Sequence, residues 1–178
     1  MGIAVMLKKL LLGRAFSAEE GRVTILGRYN VTLVESCGFA YLHQKIFEEL
    51  GEKKAFKILM EATEIAIENA TKAFGLVPFF MSIEKLLPLT DFYGLGKFSV
   101  IHKEENEKKV VLLIKVENSP LTEYAKQKWG KNSKICKIVE ANLIVTAKLI
   151  YKKTPKVEEI SCYTKGAPYC TFRVEIEK

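Results

Sequence analysis

The sequence contains few arginines, histidines and aspartates, and its carboxylates show no paired acid–base signature. Arginine is scarce, Asp91 is the only aspartate, and His43 and His102 are the only histidines. The net charge of +7 comes mainly from scattered lysines, whereas specific base recognition favours the two parallel hydrogen bonds of arginine. Also absent are a phosphate-binding loop, a GxSxG nucleophile motif and a Rossmann glycine fingerprint. We therefore expect a solvated, lysine-rich surface that does not bind nucleic acid.

An apolar run of roughly 20 residues, the length needed to span a bilayer, is absent as well. The apolar N-terminal stretch is interrupted by Lys8, Lys9 and Arg14 and has no convincing signal-peptide cleavage site. We therefore expect no transmembrane segment, and the expected compartment is a reducing cytoplasm. Clustered cysteines in such a compartment favour metal binding over disulfides.

The composition that remains is typical of one folded unit. With 178 residues, of which 48% are hydrophobic and 28% are charged, residues 1–178 are expected to form a single domain. Glutamate supplies all of the acid except Asp91, and glutamine occurs only at Gln44 and Gln127. Because lysine and glutamate are enriched in proteins from hot environments, this composition suggests a thermophilic source.

Apolar spacing predicts mostly helices in the first half of the chain and strands alternating with helices in the second. The predicted elements are strands at 22–28 and 30–34, helices at 39–50 and 53–74, a short helix ending at 87, strands at 94–102 and 109–116, helices at 120–130 and 133–150, and strands at 157–163 and 170–176. The apolar residues that the helix at 53–74 is expected to bury are Phe56, Leu59, Met60, Ile65 and Ile67. This order predicts an α+β fold with helices packed on one face of an antiparallel sheet.

Three of the four cysteines lie near the end of the chain. Cys162 and Cys170 flank the Gly/Pro turn of the last predicted hairpin, Glu159 lies three residues before Cys162, and Cys136 lies in the preceding helix. Three thiolates and a carboxylate form a plausible four-ligand zinc set. Because cysteine is also a common small core residue, four unrelated buried thiols are the alternative. Cys37 has no matching partner and is expected to be a core thiol.

The same residues form the pattern Glu-x2-Cys-x3-Gly-x-Pro-x-Cys-x-Phe, which resembles the end of the 4-vinyl reductase domain family. That family is similar to the sensor domains of phenol-responsive bacterial activators and, more distantly, to TRAPP-type Golgi-transport subunits. The resemblance implies an NO-signalling/Golgi-transport ligand-binding-like fold. It also implies that Cys136, Glu159, Cys162 and Cys170 hold zinc. A site with four protein ligands is closed, which is typical of a structural rather than a catalytic zinc.

The resemblance further implies a container for a small apolar or aromatic ligand between the helices and the sheet. Candidate ligand-binding residues are His43, Phe79, Phe80, Tyr93, Phe98 and Trp129. The alternatives are that the aromatic residues are ordinary core and that His43 has a backbone or water partner. A homodimer is expected as well, because the N-terminal segment carries Leu7, Leu10 and Leu11 on one side of a short predicted helix.

Three functions follow from these patterns. The first hypothesis is a non-catalytic small-molecule-binding domain with structural zinc, which signals through a partner or a dimer interface. The second is an enzyme or enzyme subunit that acts on a tetrapyrrole vinyl group, which we disfavour because no reductant-binding motif is visible. The third is an assembly module of the Golgi-transport type.

Overall fold

The computed structural model describes residues 16–19, 21–25, 27, 29–74, 82–87 and 94–178. The strands are β1 (Phe16–Glu19), β2 (Arg22–Ile25), β3 (Tyr29–Val31), β4 (Lys97–Glu105), β5 (Lys109–Glu117), β6 (Lys156–Ser161) and β7 (Cys170–Glu177). The helices are α1 (Ser36–Leu50), α2 (Glu52–Phe74), α3 (Ile83–Leu86), α4 (Pro120–Lys128) and α5 (Cys136–Tyr151), with 3-10 turns at Gly130–Asn132 and Tyr163–Lys165.

The main sheet is antiparallel and four-stranded, with the order β4-β5-β7-β6. One face of its two central strands carries the fully apolar core. The residue pairs that face each other there are Val110 and Ile176, Leu112 and Val174, Ile114 and Phe172, and Val116 and Cys170. Cross-strand partners lie on the same face of a sheet. Helix α5 packs on β6 and β7, and helices α2 and α3 pack on α5. The predicted α+β fold with helices on one face is therefore confirmed.

Helix α1 places one face in the core. Ala40, His43, Gln44 and Phe47 recur at helical spacing and are all buried. The helix ends at Gly51, whose positive φ of 73° favours glycine. Helix α1 packs on α4, and α2 packs on both α1 and α5. The buried face of α1 therefore contributes two polar side chains, His43 and Gln44, to the protein interior.

The predicted burial of Ile65 is wrong, because 62% of this residue is exposed. Ile58 is 47% exposed as well, because the packing of α2 on α1 and α5 leaves this part of the helix surface open. The other residues predicted to be buried by this helix, Phe56, Leu59, Met60 and Ile67, are partly buried.

The boundaries of several predicted elements differ from the structure, among them β2, which ends at Ile25 instead of residue 28. Strand β4 continues to Glu105, because the turn is tight: the backbone amides of Lys108 and Lys109 both donate to Asn106 Oδ1 at 2.9 Å. Strand β3 begins at Tyr29 and ends at Val31, short of the predicted range of 30–34. Ser133 accepts a hydrogen bond from the Ile135 amide at 3.1 Å, but the regular helix begins only at Cys136.

No helix within the described part of the chain combines the length and apolar character needed to cross a membrane.

Candidate metal centre and ligand site

The sulfur atoms of Cys136, Cys162 and Cys170 lie together in the interior. The Sγ–Sγ distances are 3.2 Å between Cys136 and Cys162, 3.5 Å between Cys136 and Cys170, and 4.0 Å between Cys162 and Cys170. All three residues are buried and none is disulfide-bonded. Thiolates bound to tetrahedral zinc at about 2.3 Å are separated by about 3.8 Å. The observed separations bracket that value, so the three cysteines fit a thiolate-rich metal site.

The turn between Cys162 and Cys170 forms the hairpin half of this cluster. The amides of Lys165 and Ala167 both donate to the Cys162 carbonyl at 3.1 Å, and the Tyr163 amide donates to Cys170 Sγ at 3.3 Å. Gly166 closes the turn with a φ of 106°, a conformation that favours glycine. Amides that point at a sulfur stabilise its thiolate form, so this backbone is suited to present two thiolates to a cation.

The third cysteine comes from the helical layer. Cys136 is the first residue of α5, where the positive end of the helix dipole favours negative charge. Helix α4 covers the hairpin turn from the same side, with Lys126 Nζ lying 3.9 Å from the centre of the Tyr163 ring. The cluster therefore joins the sheet to the helices.

The thiols cannot all ionise without a cation. Hydrogen bonds to Cys162 and Cys170, followed by burial, raise the pKa of Cys136. Hydrogen bonds with the thiols of Cys136 and Cys170 lower the pKa of Cys162. Each ionised thiol therefore opposes the ionisation of its neighbours. A bound divalent cation removes that opposition.

Glu159 lies beside the three cysteines. It faces Phe172 across β6 and β7, so it points to the same sheet face as Cys170. Its Oε2 contacts Lys165 Nζ, while its buried Oε1 has no hydrogen-bond partner within the described part of the chain. Burial raises the pKa of this carboxyl group, and the thiols of Cys136 and Cys162 also act on it.

Glu159 is nonetheless outside the tightest group. Among the residues that the structure describes, Cys136, Cys162 and Cys170 form the candidate metal-binding group, with ligand atoms within 4.8 Å of one another. The role of Glu159 as a fourth ligand therefore stays a prediction, supported by its unpaired buried oxygen. Lys165 and Thr164, whose Oγ1 lies 3.1 Å from Cys162 Sγ, were missed from the sequence, although both lie within the turn that the motif defines.

His43 is the second unusual polar group of the interior. Only 6% of the residue is exposed, and among the described residues neither Nδ1 nor Nε2 has a hydrogen-bond partner. The imidazole stacks on Phe47, with ring centres 4.7 Å apart. Burial lowers the pKa of His43 to about 4, so the ring is neutral at physiological pH.

The predicted aromatic residues fall in different places. Phe79, Phe80 and Tyr93 lie outside the described residues. Phe98 is buried in the main core. Trp129 packs edge-on against Tyr124 of α4 at 5.7 Å and lies 6.1 Å from Tyr41, measured between ring centres. Since Tyr41 belongs to α1, Trp129 contacts the helix that carries His43.

No protein-family model matches the sequence, and no curated protein matches it. Among solved structures, the fold is similar to the phenol-responsive sensory domain of the transcription activator PoxR with phenol. The TM-score is 0.73 at 16% identity, over 98% of this chain and 91% of that one. It is also similar to a vinyl-4-reductase family protein from Methanocaldococcus jannaschii, with a TM-score of 0.54 at 19% identity, over 83% and 84% of the two chains.

An H-NOX protein from S. oneidensis in the Fe(II)NO ligation state gives a TM-score of 0.51 at 12% identity, over 99% of this chain and 91% of that one. Identities this low establish a shared fold and nothing finer. At that level the resemblance predicted from the cysteine motif is confirmed, because a phenol-responsive sensory domain and a vinyl-4-reductase family protein both share the fold.

Proposed function

We propose that residues 1–178 form a single non-catalytic sensor domain that binds a small apolar or aromatic molecule and carries a structural zinc ion. The ligand-binding part of this proposal rests on His43. Its imidazole is buried, and neither ring nitrogen has a hydrogen-bond partner among the described residues. A buried polar group without a partner costs about 1–3 kcal/mol. A ligand that hydrogen-bonds to His43 would recover this free energy, and the chain would therefore gain stability on binding it.

The chemistry of His43 indicates the class of ligand. A neutral imidazole offers one N–H donor and one acceptor, and the neighbouring stacked ring of Phe47 is apolar. A small molecule with one hydroxyl on an aromatic or aliphatic body matches such surroundings. The similar sensory domain is described as phenol-responsive, which supports phenols as the first compounds to test.

The zinc part of the proposal assigns Cys136, Cys162 and Cys170 as thiolate ligands and Glu159 as the fourth. Soft thiolates select zinc over magnesium or calcium. Four protein ligands leave no open position for a substrate or an activated water. The ion would therefore hold the final hairpin against the start of α5 and take no part in a reaction.

Ligand binding should appear as thermal stabilisation. We expect a matching phenol at about 100 times its dissociation constant to add about 2.7 kcal/mol of stability, or about 5–11 °C in melting temperature for a domain of this size. The measurement is a thermal-shift screen of phenols, fatty acids and porphyrins, together with native mass spectrometry of the purified protein.

The control for this screen is the His43→Phe variant, which should lose most of the shift. A flavin or nicotinamide spectrum in the purified protein would favour the enzyme that acts on a tetrapyrrole vinyl group. If no compound shifts the melting temperature and nothing co-purifies, the sensor proposal fails and the assembly module takes its place.

We further propose a homodimer. The leucine-rich segment that first indicated it lies outside the described residues. The outer face of α2 gives an independent reason, because Ile58 is 47% exposed and Ile65 is 62% exposed, with the exposed Ala62 between them. The N-terminal half of the helix is basic, with Lys53, Lys54 and Lys57, and the following turns are acidic, with Glu61, Glu64 and Glu68. If α2 of a second copy packed antiparallel to this helix, the basic half of each helix would lie against the acidic half of the other.

Ile65→Glu should therefore weaken self-association by at least about 100-fold, because it buries a carboxylate in an apolar contact. Sedimentation velocity over a range of concentrations measures the effect. Ile101→Glu is the matched control, since Ile101 is 50% exposed on edge strand β4. A wild-type protein that stays monomeric at high concentration, or equal effects of the two variants, would refute the α2 interface.

A further inference from the structure

Gln44 connects α1 to the segment that leads into the metal centre. It is 4% exposed, and its side-chain amide bonds to the backbone of another part of the chain. Its Oε1 accepts a hydrogen bond from the Lys134 amide at 2.9 Å, and its Nε2 donates to the Asn132 carbonyl at 3.4 Å. Cys136 follows Lys134 by two residues. These hydrogen bonds therefore hold the backbone directly before a proposed metal ligand.

A second set of contacts holds the same segment more loosely. Glu52, at the start of α2, pairs with Lys134 Nζ at 2.9 Å and with Lys137 Nζ at 3.4 Å. The Lys134 and Glu52 side chains are 42% and 54% exposed, and exposed ion pairs contribute little because water and salt screen them. The Gln44 bonds are neutral and shielded from water, so they constrain the backbone more strongly.

The three sulfurs differ in how their positions are fixed. Cys162 and Cys170 belong to one hairpin, whose turn bonds and strand register hold them relative to each other. Cys136 comes from the helical layer, so its distance to the hairpin depends on the path of residues 132–135. Gln44 is the buried side chain that bonds to this path from another element.

We infer that Gln44 is a positioning residue of the metal centre, which holds Cys136 at coordinating distance from Cys162 and Cys170. The inference rests on the proposed metal site and deepens it. Outer contacts that orient ligands commonly change metal affinity by about 10- to 100-fold. Gln44 also bonds to Glu48 Oε1 at 3.1 Å within α1, which fixes the orientation of its amide.

The test compares Gln44→Met, which has a similar volume and no amide, with Gln127→Met. Gln127 is the other glutamine of the chain and is exposed on α4. The readouts are the affinity for Zn²⁺ against a competing chelator and the absorption spectrum of the Co²⁺-loaded protein. We expect Gln44→Met to lower the affinity by about 10- to 100-fold and to alter the Co²⁺ spectrum. Gln127→Met should change neither.

Gln44→Leu serves as the substitute if Gln44→Met does not fold. It also lacks the amide, so it should lower the affinity for Zn²⁺ to a similar extent. Equal destabilisation of the metal-free and loaded proteins, with unchanged Zn²⁺ affinity and Co²⁺ spectrum, would overturn the positioning role. A wild-type protein that binds neither ion would instead refute the metal site itself, so the two failures are distinct.

Discussion

Replacing Cys162 or Cys170 with serine should abolish stoichiometric metal binding and lower the melting temperature by about 10–20 °C. The three sulfurs lie 3.2–4.0 Å apart in a buried cluster, and the energy of binding a structural metal is also folding energy. Losing about 5 kcal/mol of it corresponds to that temperature shift, at about 2–4 °C per kcal/mol. Elemental analysis of protein purified without chelator and differential scanning calorimetry measure the two effects.

Cys37→Ser is the matched control, because Cys37 is partly exposed at the start of α1, contrary to the expected core thiol, and lies apart from the cluster. It should leave metal content and melting temperature unchanged. Glu159→Gln tests the fourth ligand, since it preserves size and removes the charge: we expect weaker binding than in the wild type but more than in the cysteine variants. If the metal-free wild type melted at the same temperature as the freshly purified protein, the proposal of a structural zinc would be wrong.

The second half of the chain could be predicted from the sequence because its signals are local. Apolar alternation marks β5 and β7, and Ser119 and Pro120 mark the start of α4, where Ser119 Oγ accepts from the Thr122 amide. The thiols on either side of the hairpin turn were predictable for the same reason. Strand pairing then brings Cys162 and Cys170 together without help from the rest of the fold.

The first half was harder because its helices have apolar residues on more than one face. In α2, periodicity alone could not tell that Ile65 faces outward, since this depends on where α5 packs. The contacts of Gln44 were equally invisible, because they join residues 88 and 90 positions apart in the chain. The lack of partners for His43 is likewise a property of its surroundings and leaves no pattern in the sequence.

The burial of His43 should also make stability depend on pH. The folded protein resists protonating His43 until about pH 4, whereas the unfolded chain takes up a proton near its ordinary pKa of about 6.5. Because the unfolded state then binds more protons, the free energy of unfolding should fall as the pH drops through this window. Between pH 7 and pH 5 the loss due to His43 amounts to about 2 kcal/mol.

His43→Leu should remove that loss and, in ligand-free protein, raise the stability at pH 7 by about 1–3 kcal/mol, because an unpaired buried polar group disappears. Urea unfolding at several pH values measures both effects. His102→Leu is the control, since it removes the other histidine from an exposed position on β4. The same His43→Leu change should abolish the response to phenols, so higher stability and lost binding are expected together. A variant that is less stable than the ligand-free wild type at pH 7 would mean that His43 has a partner in solution, and the argument for a ligand at this residue would fail.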